Sequence, residues 1–500
     1  MAELPDPESV VVDVAPSPMA RRLVRAAGRL LRRILAVSLV IGTVMWLGSV
    51  AIKSWGRWSL NRRMQAAQAL KGGQQYFVDT AGNDTNDGRA PDRAWRSLAR
   101  ASGATFAPGD SLMLTGGIEY VGTLHLDDDD GGDPSRPFVV TSRGPLPATI
   151  TPADSDGVVA RNPIGLTISR LIVRGSGASS NKGSGIALVV TARGSVKLPG
   201  IVVEDVDVSG MGRFGLVIDG KRLKSGLRDV RITDSDFHAN QLAGLSVLGR
   251  YVPFYRQYAH ANVLVEGVRA WDNTGDPTIG DVHSGSGIVM SSVRSGTIRR
   301  CVAWNNGAAS RGHEGGPFGI WTWSVDSVLL ERSVSFDNRT ASAADGGGFD
   351  FDGGTTNSLM RDNVSFDNDG AGVLLAQFSY ALPFHDNRIE RHVSIDDARK
   401  NGYGAFTAWG AVFDTELHSS VLSVRAAATT PHVGIKVYAN AKKTWWERGT
   451  SRNIRIGTSL VLLGPGVEFM RSEAGAEGLD VGGAIRLQLR DEELPRAARP

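Results

Sequence analysis

Ser335–Asn338 reads SFDN, Ser365–Asn368 reads SFDN again, and Ser394–Asp397 reads SIDD. Upstream, the same landmark is FHAN at Phe237–Asn240, AWDN at Ala270–Asn273 and AWNN at Ala303–Asn306. Between these sites lies a second landmark, a glycine opening a short apolar strand. It occurs at Gly185 (GIALV), Gly215 (GLVID), Gly244 (GLSVL), Gly287 (GIVMS), Gly319 (GIWTW), Gly348 (GFDFD), Gly372 (GVLLA) and Gly404 (GAFTA). The steps between these glycines are 30, 29, 43, 32, 29, 24 and 32 residues, so one unit of about thirty residues repeats. Each unit holds several strands of three to six residues and no helix-length apolar pattern. A unit this short cannot bury its own apolar face. Stacking successive units at about 4.8 Å, each strand against its counterpart, solves the problem. The expected fold is therefore all-β, a right-handed parallel β-helix. Asn and Asp at fixed turn positions suit left-handed backbone, and stacked Asn side chains can satisfy one another. A β-propeller would want about forty residues per blade and clear antiparallel hairpins, and neither pattern is evident.

Outward from the repeat, Tyr76–Ser102 (YFVDTAGNDTNDGRAPDRAWRSLARAS) reads as a strand, a turn and an amphipathic helix. The helix is expected to start near Pro91, with Trp95, Leu98 and Ala99 on its apolar face, and to cap the solenoid. NDTNDG at Asn83–Gly88 reads as turn chemistry, and DDDDGGD at Asp127–Asp133 as a solvated loop with a lesser claim on calcium. The expected organisation is a basic, disordered cytoplasmic segment over 1–33, a transmembrane helix over 34–52 and a stalk over 53–74. An N-terminal cap with the first coils (75–150), the β-helix (151–425), and the last coils with a C-terminal cap and tail (426–500) follow.

Ile34–Ile52 (ILAVSLVIGTVMWLGSVAI) holds nineteen residues and no charge. As a helix it spans about 28 Å, close to a bilayer core of roughly 30 Å. Trp46, Trp55 and Trp58 fall near its outer end. A cleaved signal peptide is the competing reading, but no small-x-small site precedes Lys53. Six arginines precede the span and five Lys/Arg follow it, which puts the N-terminus inside and the β-helix in the periplasm or outside the cell.

Residues 1–71 hold eleven Lys/Arg against four Asp/Glu, a balance of +7, so with +3 overall the remainder carries −4. A mildly acidic large domain disfavours nucleic acid. One cysteine, Cys301, excludes an internal disulfide framework and a multi-cysteine metal site. Glycine is abundant but lacks a three-residue period, which excludes collagen. No P-loop, Rossmann or Ser-His-Asp pattern stands in a convincing context.

Two segments resemble bacterial right-handed parallel β-helix proteins of the pectate-lyase-like superfamily. They are YFVDTAGNDTNDG…AWRSLARA…PGDSLML from Tyr76, and DGGGFDFDGGTTNSLMRDNVSFDNDGAGVLL at Asp345–Leu375. The resemblance covers about residues 75–425. It implies the fold, and a superfamily that includes polysaccharide lyases, glycoside hydrolases and epimerases.

Strand alternation locates a candidate site. In the glycine-led strands, the first and third residues after Gly are Ile288/Met290, Ile320/Thr322, Phe349/Phe351, Val373/Leu375 and Ala405/Thr407; they should point inward. The second and fourth should point outward: Val289/Ser291, Trp321/Trp323, Asp350/Asp352, Leu374/Ala376 and Phe406/Ala408. Two carboxylates beside two indoles suit a carbohydrate, whose C–H faces stack and whose hydroxyls hydrogen-bond. Asp350 and Asp352 lie about 6.6 Å apart along the strand, which favours acid–base hydrolysis with inversion. His313 is a further catalytic candidate, and Trp321, Trp323, His283, Glu314 and Gln377 are candidate sugar contacts. Alternatively Asp345, Asp350, Asp352 and Asp369 gather around Ca²⁺ for β-elimination from an acidic sugar. The DGxGFD-like segment is similar to the calcium-binding Asp cluster of one pectate lyase family, in which a Lys on the next coil is the base. Leu374 stands at that place here. The expected function is a membrane-anchored enzyme acting on an exported polysaccharide. A non-catalytic polysaccharide-binding or envelope scaffold is the rival.

Overall fold

In the computed structural model, the residues described are 73–131, 133–192, 196–253, 255–313, 315–378, 381–426, 432–438, 450–472 and 478–497. Segment 1–33, the expected membrane span 34–52 and nearly all of the stalk 53–74 lie outside them, as do Glu314 and residues 439–449. Among the described residues no helix is long and apolar enough to cross a membrane.

Strand pairing throughout the solenoid is parallel and always to the next coil. Each regular coil gives three strands. The first is the glycine-led strand, and its sheet has twelve members, from Leu124–Leu126 through Phe318–Trp323, Gly347–Phe351 and Val373–Gln377 to Glu468–Ser472. The second and third strands of a coil, such as Asp326–Glu331 and Val334–Phe336, build two further faces. These faces join in the long strands Leu166–Arg174 and Lys197–Ser209, which run across the bend at Arg170 and Asp205, each with a φ of 54°. Later coils turn at the same place with one left-handed residue, for example Arg332 or Asp362. The architecture is a parallel β-helix, and its connections take the right-handed sense that twisted parallel strands favour.

The two landmarks of the repeat have separate jobs in one corner. The third residue of AWDN, AWNN and SFDN takes the left-handed conformation: Asp272, Asn305, Asp337 and Asp367 have φ from 51° to 57°. The fourth residue points inward and stacks. Asn240, Asn273, Asn306, Asn338 and Asn368 each donate Nδ2 to the Oδ1 of the next rung, at 2.7–3.1 Å, and the last acceptor is Asp397. The ladder has a direction, so its final rung needs only to accept, and a carboxyl does so. Gly215, Gly244, Gly287, Gly319, Gly348 and Gly372 face this ladder. A Cβ on Gly319 would lie 1.9 Å from Ser335 Oγ and 2.6 Å from Asn338 Nδ2, so no side chain fits there. On the third face, outside the corner, His238, Trp271, Trp304, Phe336 and Phe366 stack ring on ring at 4.2–5.9 Å.

Inside, aliphatic and aromatic columns fill the coil. One runs Ile288, Ile320, Phe349, Val373, Phe406, Ile435, all fully buried. Burial of each is worth about 1.5–3 kcal/mol. Phe406 corrects the expected alternation. One extra residue enters the strand Gly404–Gly410, so Phe406 and Ala408 point in while Thr407 and Trp409 point out. A single inserted residue inverts every facing beyond it, because the side-chain period is two.

At the N-terminal end, the expected helix from Pro91 is replaced by a 3₁₀ turn, Pro91–Arg93, and a five-residue α-helix, Leu98–Ser102. Asp84 causes the break. Its carboxylate accepts from the backbone N of Arg96 and Ser97 and from Ser97 Oγ, so NDTNDG organises the helix start. Trp95 and Leu98 are buried, but Ala99 is exposed and Ala101 takes its place in the core. Trp95 stacks on Tyr76 at 5.3 Å, closing the first coil. Asp130, in the DDDDGGD loop, accepts from Phe106 N and Asp127 N. At the other end the strands Arg452–Ile456, Ser459–Leu463 and Ala484–Gln488 continue the stacking, and Leu494 is buried beside Arg425.

Candidate active site

Parallel register turns single outward residues into columns across the glycine-led sheet. One column reads Val289, Trp321, Asp350, Leu374, Thr407, Lys436. The neighbouring column holds Ser291 and Trp323. Asp352 follows the end of its strand, and its N donates to Thr322 O at 2.8 Å, which sets it beside Trp323. Each aspartate therefore adjoins an indole of the preceding coil.

This outward face is not a solvated surface. Val289, Phe318, Trp321, Ala371, Leu374 and Ala376 form a second apolar cluster outside the coil, with Trp323, Tyr403 and Trp409 packed on it. Asp350 interrupts that seam. It is 3% exposed, and its Oδ1 is buried with no hydrogen-bond partner. Burial, then the charges of Asp352 and Asp345, push its carboxyl well above the usual carboxylate range. Asp352 is half-buried, accepts from Gly353 N at 2.7 Å, and is pushed up to about 7, first by burial and then by Asp345. Asp345 is raised by burial despite two donors, Gly316 N at 2.5 Å and Tyr403 Oη at 2.8 Å. No cation contributes to any of these shifts.

The other predicted residues fall in different places. Trp321 is 4% exposed; its Nε1 donates to Ser286 Oγ at 3.0 Å, and His283 packs edge-on at 4.6 Å. It is part of the floor rather than an open stacking face. Burial holds His283 down to about 4, so its ring is neutral at physiological pH, and its Nδ1 has no partner. Trp323 is half-buried between Tyr251 at 5.3 Å and Phe378 at 6.5 Å, and its Nε1 is buried without a partner. Gln377 has its amide committed: Nε2 donates to Leu382 O and Oε1 accepts from Gly354 N, so it braces a loop. His313 is exposed, with its backbone N on Gly280 O. Glu314 lies outside the described residues.

The predicted calcium set does not assemble. Among the described residues no three His, Cys, Asp or Glu side chains are placed to hold a metal. The reason is that two of the four carboxylates are already engaged. Asp345 is turned to Gly316 and Tyr403, while Asp369 accepts from Thr340 N and pairs with Arg339 at 3.5 Å. Tyr403 is the site residue that sequence reading missed. Its position just before the glycine of its strand is outward in every coil, where Phe318 and Ala371 also stand, and that column could have revealed it.

A family model described as the right-handed beta helix region matches residues 185–420. No curated protein matches. The crystal structure of a GH136 lacto-N-biosidase from Eubacterium ramulus is similar, with a TM-score of 0.52 at 16% identity, covering 84% of this chain and 70% of that one. The A-module of a mannuronan C-5 epimerase from Azotobacter vinelandii also has a TM-score of 0.52, at 13% identity, over 78% of this chain and 92% of its own. A pectate lyase structure gives a TM-score of 0.39 at 14% identity over 84% of this chain and 83% of its own. At these identities the likeness to the lacto-N-biosidase and the epimerase module establishes a shared fold alone.

Proposed function

We propose that this protein is a carbohydrate-active enzyme that hydrolyses a polysaccharide, with Asp350 and Asp352 as its acid–base pair. One observation carries the reading. A carboxyl oxygen is buried without a partner beside a second carboxyl that titrates near neutrality, on a face lined by indoles. Leaving a buried acceptor unsatisfied costs about 1–3 kcal/mol, a cost that a bound sugar would relieve. Two carboxyls whose environments set different protonation states are the requirement for glycoside hydrolysis. Asp350, the more strongly held in its neutral form, supplies the proton to the glycosidic oxygen. Asp352, ionised above about pH 7, takes the proton from an attacking water. A lacto-N-biosidase and a mannuronan epimerase on the same solenoid support a carbohydrate substrate. Calcium-assisted elimination is not favoured, because the four aspartates do not converge and Leu374 stands where a lysine base would be needed. The uncharged run Ile34–Ile52 supports a membrane-tethered enzyme with its solenoid outside the cytoplasm.

The test is turnover by the full chain on a polysaccharide panel, read as new reducing ends. Asp350→Asn and Asp352→Asn should each lower kcat by about 10²–10⁴ while retaining binding. Unchanged turnover in both variants would remove the pair from the mechanism, and an unsaturated, ultraviolet-absorbing product would replace hydrolysis with elimination.

A further inference from the structure

We infer that the sugar ring seated at Asp350 and Asp352 is uncharged, so that the substrate is a neutral hexose, pentose or N-acetylhexosamine polymer and not a polyuronate. The inference rests on the proposed function and specifies its substrate class. It follows from which charges reach the site and which do not.

A uronate bound there would bring its own carboxylate into a desolvated setting beside Asp352, the member of the pair that is ionised in the working enzyme. Two like charges 5 Å apart repel by about 3 kcal/mol at an effective dielectric constant of 20, which is about two decades in affinity. Proteins that accept anionic sugars offset this with Arg, Lys or a metal. Here Asp345, Asp350 and Asp352 take part in no ion pair among the described residues, and no metal set is assembled there. Arg250 borders the cavity of Tyr251 and Trp323 but forms no ion pair with the three aspartates, and three further cations of the adjoining coils are held elsewhere. Arg339 pairs with Asp337 at 2.7 Å and with Asp369. Lys400 Nζ donates to Thr340 O at 2.5 Å. Lys436, three strands along the same column from Asp350, donates to Gly402 O at 3.0 Å and lies over the Tyr438 ring.

The polar atoms left without partners point the same way. Asp350 Oδ1 belongs to a side chain more than nine-tenths buried, and Trp323 Nε1 and His283 Nδ1 are buried and unpartnered on the same flank. A sugar hydroxyl can donate to one such atom and accept from another, so a C6 hydroxyl can serve either kind where a C6 carboxylate can only accept. Trp323, Tyr251 and Phe378 add aromatic surface that suits the C–H face of a neutral pyranose.

The experiment uses the full chain and matched polymers that differ only at C6. Polygalacturonate is compared with its carboxyl-reduced galactan, and mannuronan with mannan, alongside neutral glucan, xylan and an N-acetylated glycan. Initial rates are read as reducing ends, and binding is read by affinity electrophoresis at low ionic strength. The neutral member of a recognised pair should be preferred at least tenfold in kcat/KM and in binding. In the Asp350→Asn, Asp352→Asn double variant, binding of the uronate member should rise at least fivefold toward the neutral one. Better turnover or tighter binding of a uronate member by the unmodified chain would overturn the inference and leave the enzyme reading intact. Preferential neutral binding with no turnover would uphold the inference and remove the hydrolytic reading. Failure to bind any polymer would overturn both.

Discussion

Asn338 fills the space that a side chain at Gly319 would need: a Cβ on Gly319 would sit 2.6 Å from the Asn338 amide nitrogen. The same opposition recurs one coil on, where a Cβ on Gly348 would sit 3.0 Å from Asn368 Nδ2. The two signatures of the repeat are therefore two sides of one steric fact. The interior corner has room for a stacked amide or for a second side chain, not for both. Gly319→Ala should accordingly destabilise the solenoid by about 1–3 kcal/mol, through displacement of Ser335 and Asn338. Chemical denaturation measures it. A variant as stable as the parent would show that the corner can relax at no cost.

This pairing explains why the fold was legible and the site only partly so. Steric rules that hold in every coil leave a periodic trace, and Gly319, Asn338 and their counterparts appear in the sequence at fixed spacing. The shared outward facing of Asp350 and Asp352 is readable because alternation within one short strand is local. Phe406 was misassigned because one inserted residue leaves no compositional mark yet reverses all facings after it. The engagement of Gln377 and Asp369 is not readable for a different reason. Their types suit a site, but their partners, Leu382 O and Arg339, are set by loop paths that no repeat encodes. The link from Tyr403 to Asp345 spans 58 residues, and only the structure brings those two together.

Tyr403 is a positioning residue by its geometry, since its hydroxyl meets Asp345 rather than the pair itself. Tyr403→Phe should cost about 1 kcal/mol of stability for the lost hydrogen bond. It also removes a contact that favours the ionised form of Asp345, so the Asp345 carboxyl rises further. A more neutral Asp345 repels Asp352 less, and Asp352 then titrates lower. The acidic limb of the pH–rate profile should move to lower pH. A purely structural role for Tyr403 would lower the rate at every pH and leave the limb where it was.

The pH dependence of the reaction follows from the same pair. Asp352 must be ionised to act as base, and it ionises around pH 7; Asp350 must stay protonated, and its group is held well above the usual range. kcat/KM should therefore rise through about pH 7 and fall again at higher pH, a bell set apart from that of ordinary carboxylates. In the residual activity of Asp352→Asn the rising limb should vanish. An optimum near pH 4–5, where unperturbed carboxyls work, would contradict the burial on which this assignment depends.

Asp397 ends the asparagine ladder as a buried carboxyl that accepts from Asn368 N and Nδ2 and from the hydroxyls of Ser365 and Ser394. Burial outweighs these four donors and raises the group from 3.8 to about 7. A carboxyl whose folded value lies above its unfolded value contributes stability that is fully present below about pH 4. That contribution is lost as pH rises through about 7. The parent should thus lose stability across this window, and Asp397→Asn should not lose the part that belongs to this residue. Subtracting the parent Tm from the variant Tm at each pH should give a difference that grows more positive between pH 4 and pH 7 and then levels. His392, which shares the Ser365 hydroxyl and is held down to about 3 by burial, titrates in the same way in both proteins and cancels in that subtraction. A flat difference would mean that Asp397 stays ionised in the folded chain, with its four donors outweighing the cost of burial.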